Sequence, residues 1–179
     1  KLLSMGLLIN ESDPVAVRGP LATRYVQQFL RNVAWGDVDF LILDLPPGTG
    51  DIQLTIVQTA ELDGVVVVTT PQEVALIDAR KAIGLFERVE TPILGIIENM
   101  SYFQCPSDGK IYHIFGEGGG EREAARLGVP LLGKIPLDIS TRSGGDEGRP
   151  VALEEPGQNP VSAAFRQVAE QCARVVLDR

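Results

Sequence analysis

Apolar positions along this chain gather into short, nearly unbroken runs: LLSMGLLI (2–9), DFLILD (39–44), GVVVVTT (64–70), PILGIIE (92–98) and PLLGKI (130–135). Runs that do not alternate with polar residues suit strands covered on both faces. Between them, apolar residues recur at helical spacing in GPLATRYVQQFLRNVA (19–34), EVALIDARKAIGLFERV (73–89) and GEREAARLG (120–128). Strand alternating with helix predicts an α/β fold, a mostly parallel sheet with helices on both faces. In the helix over 73–89, Val74, Ile77, Ala82 and Leu85 are expected to face the sheet. A closing helix is expected over 160–178, with Pro160 near its start and a stripe of Val161, Phe165, Val168, Cys172 and Val175. Cys172 on that stripe reads as a small buried hydrophobe. The stretch 99–121 is the one long irregular segment, a length that usually marks function or mobility.

Composition narrows the classes. A chain of 179 residues with 44% apolar content fits a single domain, 1–179, with a real core. Its formal net charge of −8 speaks against a broadly basic surface that coats nucleic acid. Two cysteines, Cys105 and Cys172, are too few for a secreted disulfide framework and favour a reducing, cytoplasmic setting. No run is long enough to cross a bilayer, and no export signal is visible, so no membrane partner is expected. The first residue is Lys1 rather than Met, which suggests a piece of a longer polypeptide.

Candidate chemistry begins at LILDLPPGTGD (41–51). Ligands of open parallel sheets collect beyond the carboxyl ends of the strands, and Asp44 stands at such an end. A carboxylate there suits Mg²⁺ or its bound water, since hard cations prefer oxygen. Pro46 and Pro47 stiffen the exit, whereas Gly48 and Gly50 allow backbone N–H groups to approach a terminal phosphate. The plainer alternative is a rigid turn leading into a helix with Asp51 as its N-cap. The run GEGGGE (116–121) precedes a helix but lacks lysine, and Glu121 and Glu123 disfavour a phosphate there. A flexible lead into the helix 121–127 is the favoured reading.

Taken together, VRGP (17–20), DLPPGTGD (44–51), TTPQEVALIDARKA (69–82), IENMSYF (97–103), FGEGGGE (115–121) and GKIPLD (133–138) resemble the Mrp/NBP35/ApbC family of iron–sulfur cluster carrier ATPases, within the MinD/ParA-like P-loop group. The resemblance spans essentially the whole chain. It implies an ATPase with ATP and Mg²⁺, in which Asp44 matches the Walker B aspartate and Gly48 to Asp51 the switch II turn. Asn99 matches the residue that recognises adenine, and Pro136 and Asp138 the segment that closes over the base. An asparagine amide offers both a donor and an acceptor to a base edge, although a simple turn residue is the alternative. The resemblance further implies a homodimer that serves apo iron–sulfur proteins or assembly factors.

Two departures bear on activity. The family's glycine- and lysine-rich Walker A loop and its central strand lie N-terminal to all of these motifs, so this chain by itself is expected not to turn over ATP. Family members carry Cys-x-x-Cys after ENMSYF and share a 4Fe–4S cluster across the dimer, whereas QCPSDGKIYH (104–113) has Cys105 and then Asp108 at the second position. Carboxylates replace thiolates poorly in such clusters. Cys105 is a candidate ligand with the rest supplied by a partner, and a mixed site of Cys105, Asp108 and His113 is disfavoured. The alternative function is a MinD/ParA-type regulatory or scaffold ATPase without a cluster.

Overall fold

Three of the five expected strand runs pair into one sheet. In the computed structural model, β1 (Val65–Thr69), β2 (Ile93–Glu98) and β5 (Leu131–Lys134) lie in the order β1-β2-β5, all parallel. The structure describes residues 1–8, 19–46, 48, 50–155, 157 and 159–178. Ile9, Val17, Arg18, Pro47 and Thr49, which figure in the expectations above, lie outside them. The chain divides into two compact units, Lys1–Leu62 and Asp63–Arg179, and each is described by itself.

The second unit is the α/β sandwich that the apolar runs predict. Neighbouring residues on a strand point to opposite faces, and Ile96 and Ile97 of β2 show it. Ile96 packs with Val67, Ala124 and, from α3 (Glu73–Arg88), Ala79 and Ile83. Ile97 instead packs against Ile135, Val151, Val161 and Val168. Ala124 belongs to α4 (Gly119–Leu127), and Val161 and Val168 to α6 (Pro160–Leu177). Helices α3 and α4 therefore cover one face and α6 the other, which is why β2 carries no alternation. Helix α6 follows its expected pattern, with Pro160 at the first helical turn, where the missing N–H costs nothing. A short α5 (Ile139–Asp146) was not apparent from the apolar pattern; Asp138 initiates it by accepting the Thr141 N–H at 3.1 Å.

Helix α3 corrects the expected stripe. Its buried residues are Leu76, Ala79, Ile83 and Phe86, while Val74 is 74% exposed and Ile77 also faces outward. The expected stripe passes through Asp78 and Lys81, whereas the observed one holds no charge. The segment 99–121 is also less irregular than expected, since β3 (Phe103–Gln104) and β4 (Ile111–Tyr112) pair as an antiparallel hairpin.

The first unit departs further. Helices α1 (Gly19–Arg31) and α2 (Asp51–Thr59) form, but 2–8 and 39–44 are not strands. Ser4 accepts the Gly6 N–H at 3.3 Å and starts a single tight turn over Met5–Leu7. Over 39–44 the chain runs without a ladder, and Phe40, Leu41 and Ile42 are exposed. Neither run has a strand partner among the described residues, and an apolar run becomes a strand only where its backbone groups find a ladder. Lys1 Nζ donates to the carbonyls of Ala34 and Trp35 at 2.9 and 2.6 Å, just beyond α1.

Candidate functional site

In the second unit the predicted adenine-recognition residues follow the carboxyl ends of adjacent parallel strands. Asn99 comes directly after β2, and Pro136 and Asp138 lie just beyond β5. The two strand exits are laced together by backbone bonds: Ser101 N to Ile135 O at 2.9 Å, Leu137 N to Tyr102 O at 2.7 Å, and Ile135 N to Glu98 O at 2.9 Å. Phe103 then bridges Leu137. Asn99 N donates to Thr69 O at 2.7 Å, which ties the exit of β1 to the same edge. The side-chain Oδ1 of Asn99 accepts the Met100 N–H at 2.9 Å, and its amide nitrogen makes no hydrogen bond to another described residue. Met100, at φ 52°, holds the left-handed region where this chain turns away. Pro136 is buried. The Asp138 carboxylate is engaged locally, by Thr141 N–H and by the Ser140 hydroxyl, so its side chain shapes the start of α5.

A residue that motif reading passed over organises this edge. Glu98, the last residue of β2, is 0% exposed, and its carboxylate accepts the Ser101 hydroxyl at 2.5 Å and the Gly120 N–H at 2.6 Å. The acceptor in front of the N-terminus of α4 is thus internal. Gly119 and Gly120 of the GEGGGE run belong to α4 itself and are buried against neighbouring strand exits, so these two glycines serve packing. A Cβ on Gly119 would stand 2.4 Å from the Pro71 carbonyl oxygen, and one on Gly120 3.0 Å from Glu98 Cβ. The glycines are there because the helix approaches two strand exits closely.

The hairpin carries Cys105. Its backbone is closed by Cys105 N to Lys110 O at 2.9 Å and Gly109 N to Cys105 O at 2.8 Å. Cys105 Sγ lies 3.1 Å from Ser107 Oγ, and hydrogen bonding from Ser107 holds the thiol below its ordinary pKa, towards the nucleophilic, metal-binding thiolate. Asp108 accepts the Lys110 N–H at 3.0 Å and also faces the Cys105 thiol, and these contacts, that with Lys110 first, lower the Asp108 pKa. The His113 ring lies 3.4 Å from the Ser101 carbonyl oxygen and 3.6 Å from Glu117. Among the described residues no three His, Cys, Asp or Glu side chains converge as a metal site. Within one chain, then, the hairpin offers a single thiolate.

In the first unit, Asp44 is exposed at the end of the extended stretch and forms no ion pair with another described residue. Gln53, a buried residue of α2, donates its amide to Pro46 O at 2.7 Å and to Gly48 O at 3.0 Å. Gly48 takes φ 97°. Asp51 is the first residue of α2 rather than its N-cap, a position filled by Gly50 without a side-chain bond. A glycine cap leaves the first-turn N–H groups of α2 without a side-chain acceptor at that position. Gln53 escaped sequence reading, although a lone amide on the buried side of a short amphipathic helix is a signal worth following. A cavity of about 620 Å³ beside β5, lined by Tyr102, Gly133, Lys134, Gln167 and Gln171 among others, contains none of the predicted site residues.

A parallel sheet with helices on both faces is the architecture of MinD/ParA-type P-loop NTPases. The fold matches that of the Pyrococcus furiosus cell division ATPase MinD with a TM-score of 0.63 at 24% identity, covering 86% of this chain and 59% of that one. A nucleotide-binding protein from Archaeoglobus fulgidus, solved in complex with ADP, matches with a TM-score of 0.65 at 43% identity, over 72% of this chain and 53% of that one. The family model described as ParA, NUBPL iron-transfer P-loop NTPase, matches residues 1–173, and the chain belongs to that family. Among its relatives, an iron-sulfur cluster carrier protein of Pyrococcus horikoshii is 48% identical over 171 residues, 96% of this chain and 57% of that protein. The chain spans about half the length of the curated relatives it matches. No helix among the described residues is long and apolar enough to cross a membrane.

Proposed function

We propose that this chain is the C-terminal major part of the nucleotide-binding domain of an ATP-dependent iron–sulfur cluster carrier, a homodimer that loads a cluster and passes it to apoproteins. The observation that carries this reading is the laced edge where Asn99 and Pro136 follow two neighbouring parallel strands while the Cys105 hairpin grows from the same edge. Asn99 reads adenine through its amide nitrogen, because its oxygen already accepts from Met100. Pro136 supplies an apolar wall, and Asp138 acts by fixing the segment between β5 and α5.

Asp44, an exposed carboxylate, is suited to hold Mg²⁺ through water. The metal would neutralise charge on the phosphates, and the Gly48 to Asp51 turn would sense the terminal one with backbone N–H groups. The full polypeptide, rather than this stretch alone, is the expected ATPase. The cluster is cargo. One thiolate per chain cannot complete its ligand set, and a carboxylate such as that of Asp108 replaces a thiolate poorly, so Cys105 would pair with its counterpart in a second copy or with a recipient.

Anaerobic reconstitution of the natural polypeptide with iron and sulfide tests this directly. The expected result is a visible absorption band of a bound cluster that disappears in Cys105→Ala. An unchanged band in that variant rejects Cys105 as ligand. A protein that binds ATP yet never takes up iron, in line with the absence of a three-ligand cluster among the described residues, supports a MinD/ParA-type scaffold ATPase instead.

A further inference from the structure

Burying a carboxylate is expensive unless it is well supplied with hydrogen bonds. Glu98 is fully enclosed, and each of its oxygens has one strong donor: Ser101 Oγ on one and the Gly120 N–H on the other. The two donors belong to different segments. Ser101 sits two residues past Asn99 and also donates its backbone N–H to Ile135, immediately before Pro136. Gly120 is the second residue of α4, whose first-turn N–H groups carry the positive end of the helix dipole. One side chain therefore ties the loop after β2 to the start of α4, while the backbone N–H of the same Ser101 ties that loop to the segment after β5.

We propose that Glu98 is a positioning residue for adenine recognition, acting through Ser101 to hold Asn99 and Pro136 at their working separation. This rests on the assignment of Asn99 as the base reader. Without the clamp, the Asn99 to Tyr102 loop keeps its backbone bonds to Ile135 and Leu137 but loses the side-chain anchor between them. The Asn99 amide then samples more orientations, and adenine binding weakens while the chemistry at the phosphates is left alone. In Glu98→Gln, the amide can turn its oxygen to Gly120 N–H and its nitrogen to Ser101 Oγ, so both contacts survive.

The test is steady-state hydrolysis of ATP and GTP by the natural polypeptide and its variants. Glu98→Ala should raise KM for ATP about tenfold, the size expected for an unmet buried hydrogen-bonding group, with kcat changed by less than about twofold. The preference for ATP over GTP should fall by a similar factor, and Glu98→Gln should restore most of both. Ser101→Ala, which removes one arm and leaves the Gly120 bond, should shift KM about threefold in the same direction, part of the worth of one hydrogen bond to a carboxylate, and decides the matter if Glu98→Ala does not fold. Wild-type KM and selectivity in folded Glu98→Ala or Ser101→Ala, alongside relaxed selectivity in Asn99→Ala, overturns the role of Glu98 alone. Unchanged selectivity in Asn99→Ala overturns the adenine reading and this assignment with it.

Discussion

The turn at Pro46 to Gly50 and the edge formed by Asn99, Ser101 and Ile135 to Leu137 both follow apolar runs, and they are built in opposite ways. The first follows an extended stretch with no ladder among the described residues, in which Ile42 is 86% exposed, and takes two side-chain bonds from the Gln53 amide. The second is fixed by parallel strands, three cross-strand backbone bonds, a buried carboxylate and two glycines pressed against strand exits. Backbone ladders and close packing make an edge stiff; a segment held by a side chain from the next helix yields at small cost. Substitutions in the two regions should therefore differ in kind, with global losses of stability in the second and local loosening in the first.

The largest effect is expected at Gly119. A methyl group there meets the Pro71 backbone carbonyl at 2.4 Å, with Pro71 Cα at 2.9 Å, so no flexible side chain can yield. Gly119→Ala should cost about 3 kcal/mol, at the upper end of overpacking penalties, because α4 must retreat from β1 and stretch the Glu98 contact. Urea denaturation checks this. A loss under about 0.5 kcal/mol, within the range of ordinary surface substitutions, would mean that the edge is as pliable as the turn.

A smaller loss is expected where α4 meets α3. Glu123 is buried and accepts from Arg80 Nε at 3.0 Å and from Arg126 Nε and Nη2 at 2.9 and 2.5 Å. Burial pushes its pKa up, but the bonds from Arg126 and then Arg80 outweigh burial, and the carboxyl rests below its ordinary value. A depressed carboxylate contributes stability that is complete above its unfolded pKa, near 4.5, and is lost as pH falls through the lower folded value. Glu123→Gln should cost about 2 kcal/mol at pH 7, discounted for the half-exposed arginines, and the gap to wild type should narrow below about pH 4. Denaturant midpoints at pH 7 and pH 3.5 would reveal it; a gap independent of pH would assign the cost to packing.

What could be read in advance follows the same division. The runs at 64–70, 92–98 and 130–135 became strands because they pair with one another, and Ile96 and Ile97 needed cover on both sides. The run at 39–44 is also apolar at its centre but has no ladder among the described residues, and hydropathy carries no information about partners. Asn99, Pro136 and Cys105 were singled out through motifs, and the structure sets Asn99 and Pro136 at two neighbouring strand exits and Cys105 on the hairpin that follows. Glu98 was not, because an acid ending a strand looks alike whether it is solvated or enclosed, and only the glycines facing it show which. In α3 two apolar stripes competed, and the charge-free one, Leu76 to Phe86, won the core.

The smallest stability effect, and the sharpest contrast, is expected at Gln53. Leucine nearly preserves its volume, so Gln53→Leu removes the bonds to Pro46 O and Gly48 O without opening a cavity. Pro46 and Gly48 are themselves exposed, so water can take over much of the solvation of their carbonyls, and the global loss should stay near 1 kcal/mol or below. The turn itself should loosen. Gly48 at φ 97° is held in a region open mainly to glycine, and without the amide beneath it the segment samples other conformations. Hydrogen exchange at the first-turn amides of α2 should accelerate about tenfold in Gln53→Leu, the rate equivalent of ~1.4 kcal/mol of local opening, while amides of β2 keep wild-type rates. Equal acceleration at β2 would show that this segment shares the cooperative unit of the edge, and the contrast between a stiff edge and a yielding segment would fall.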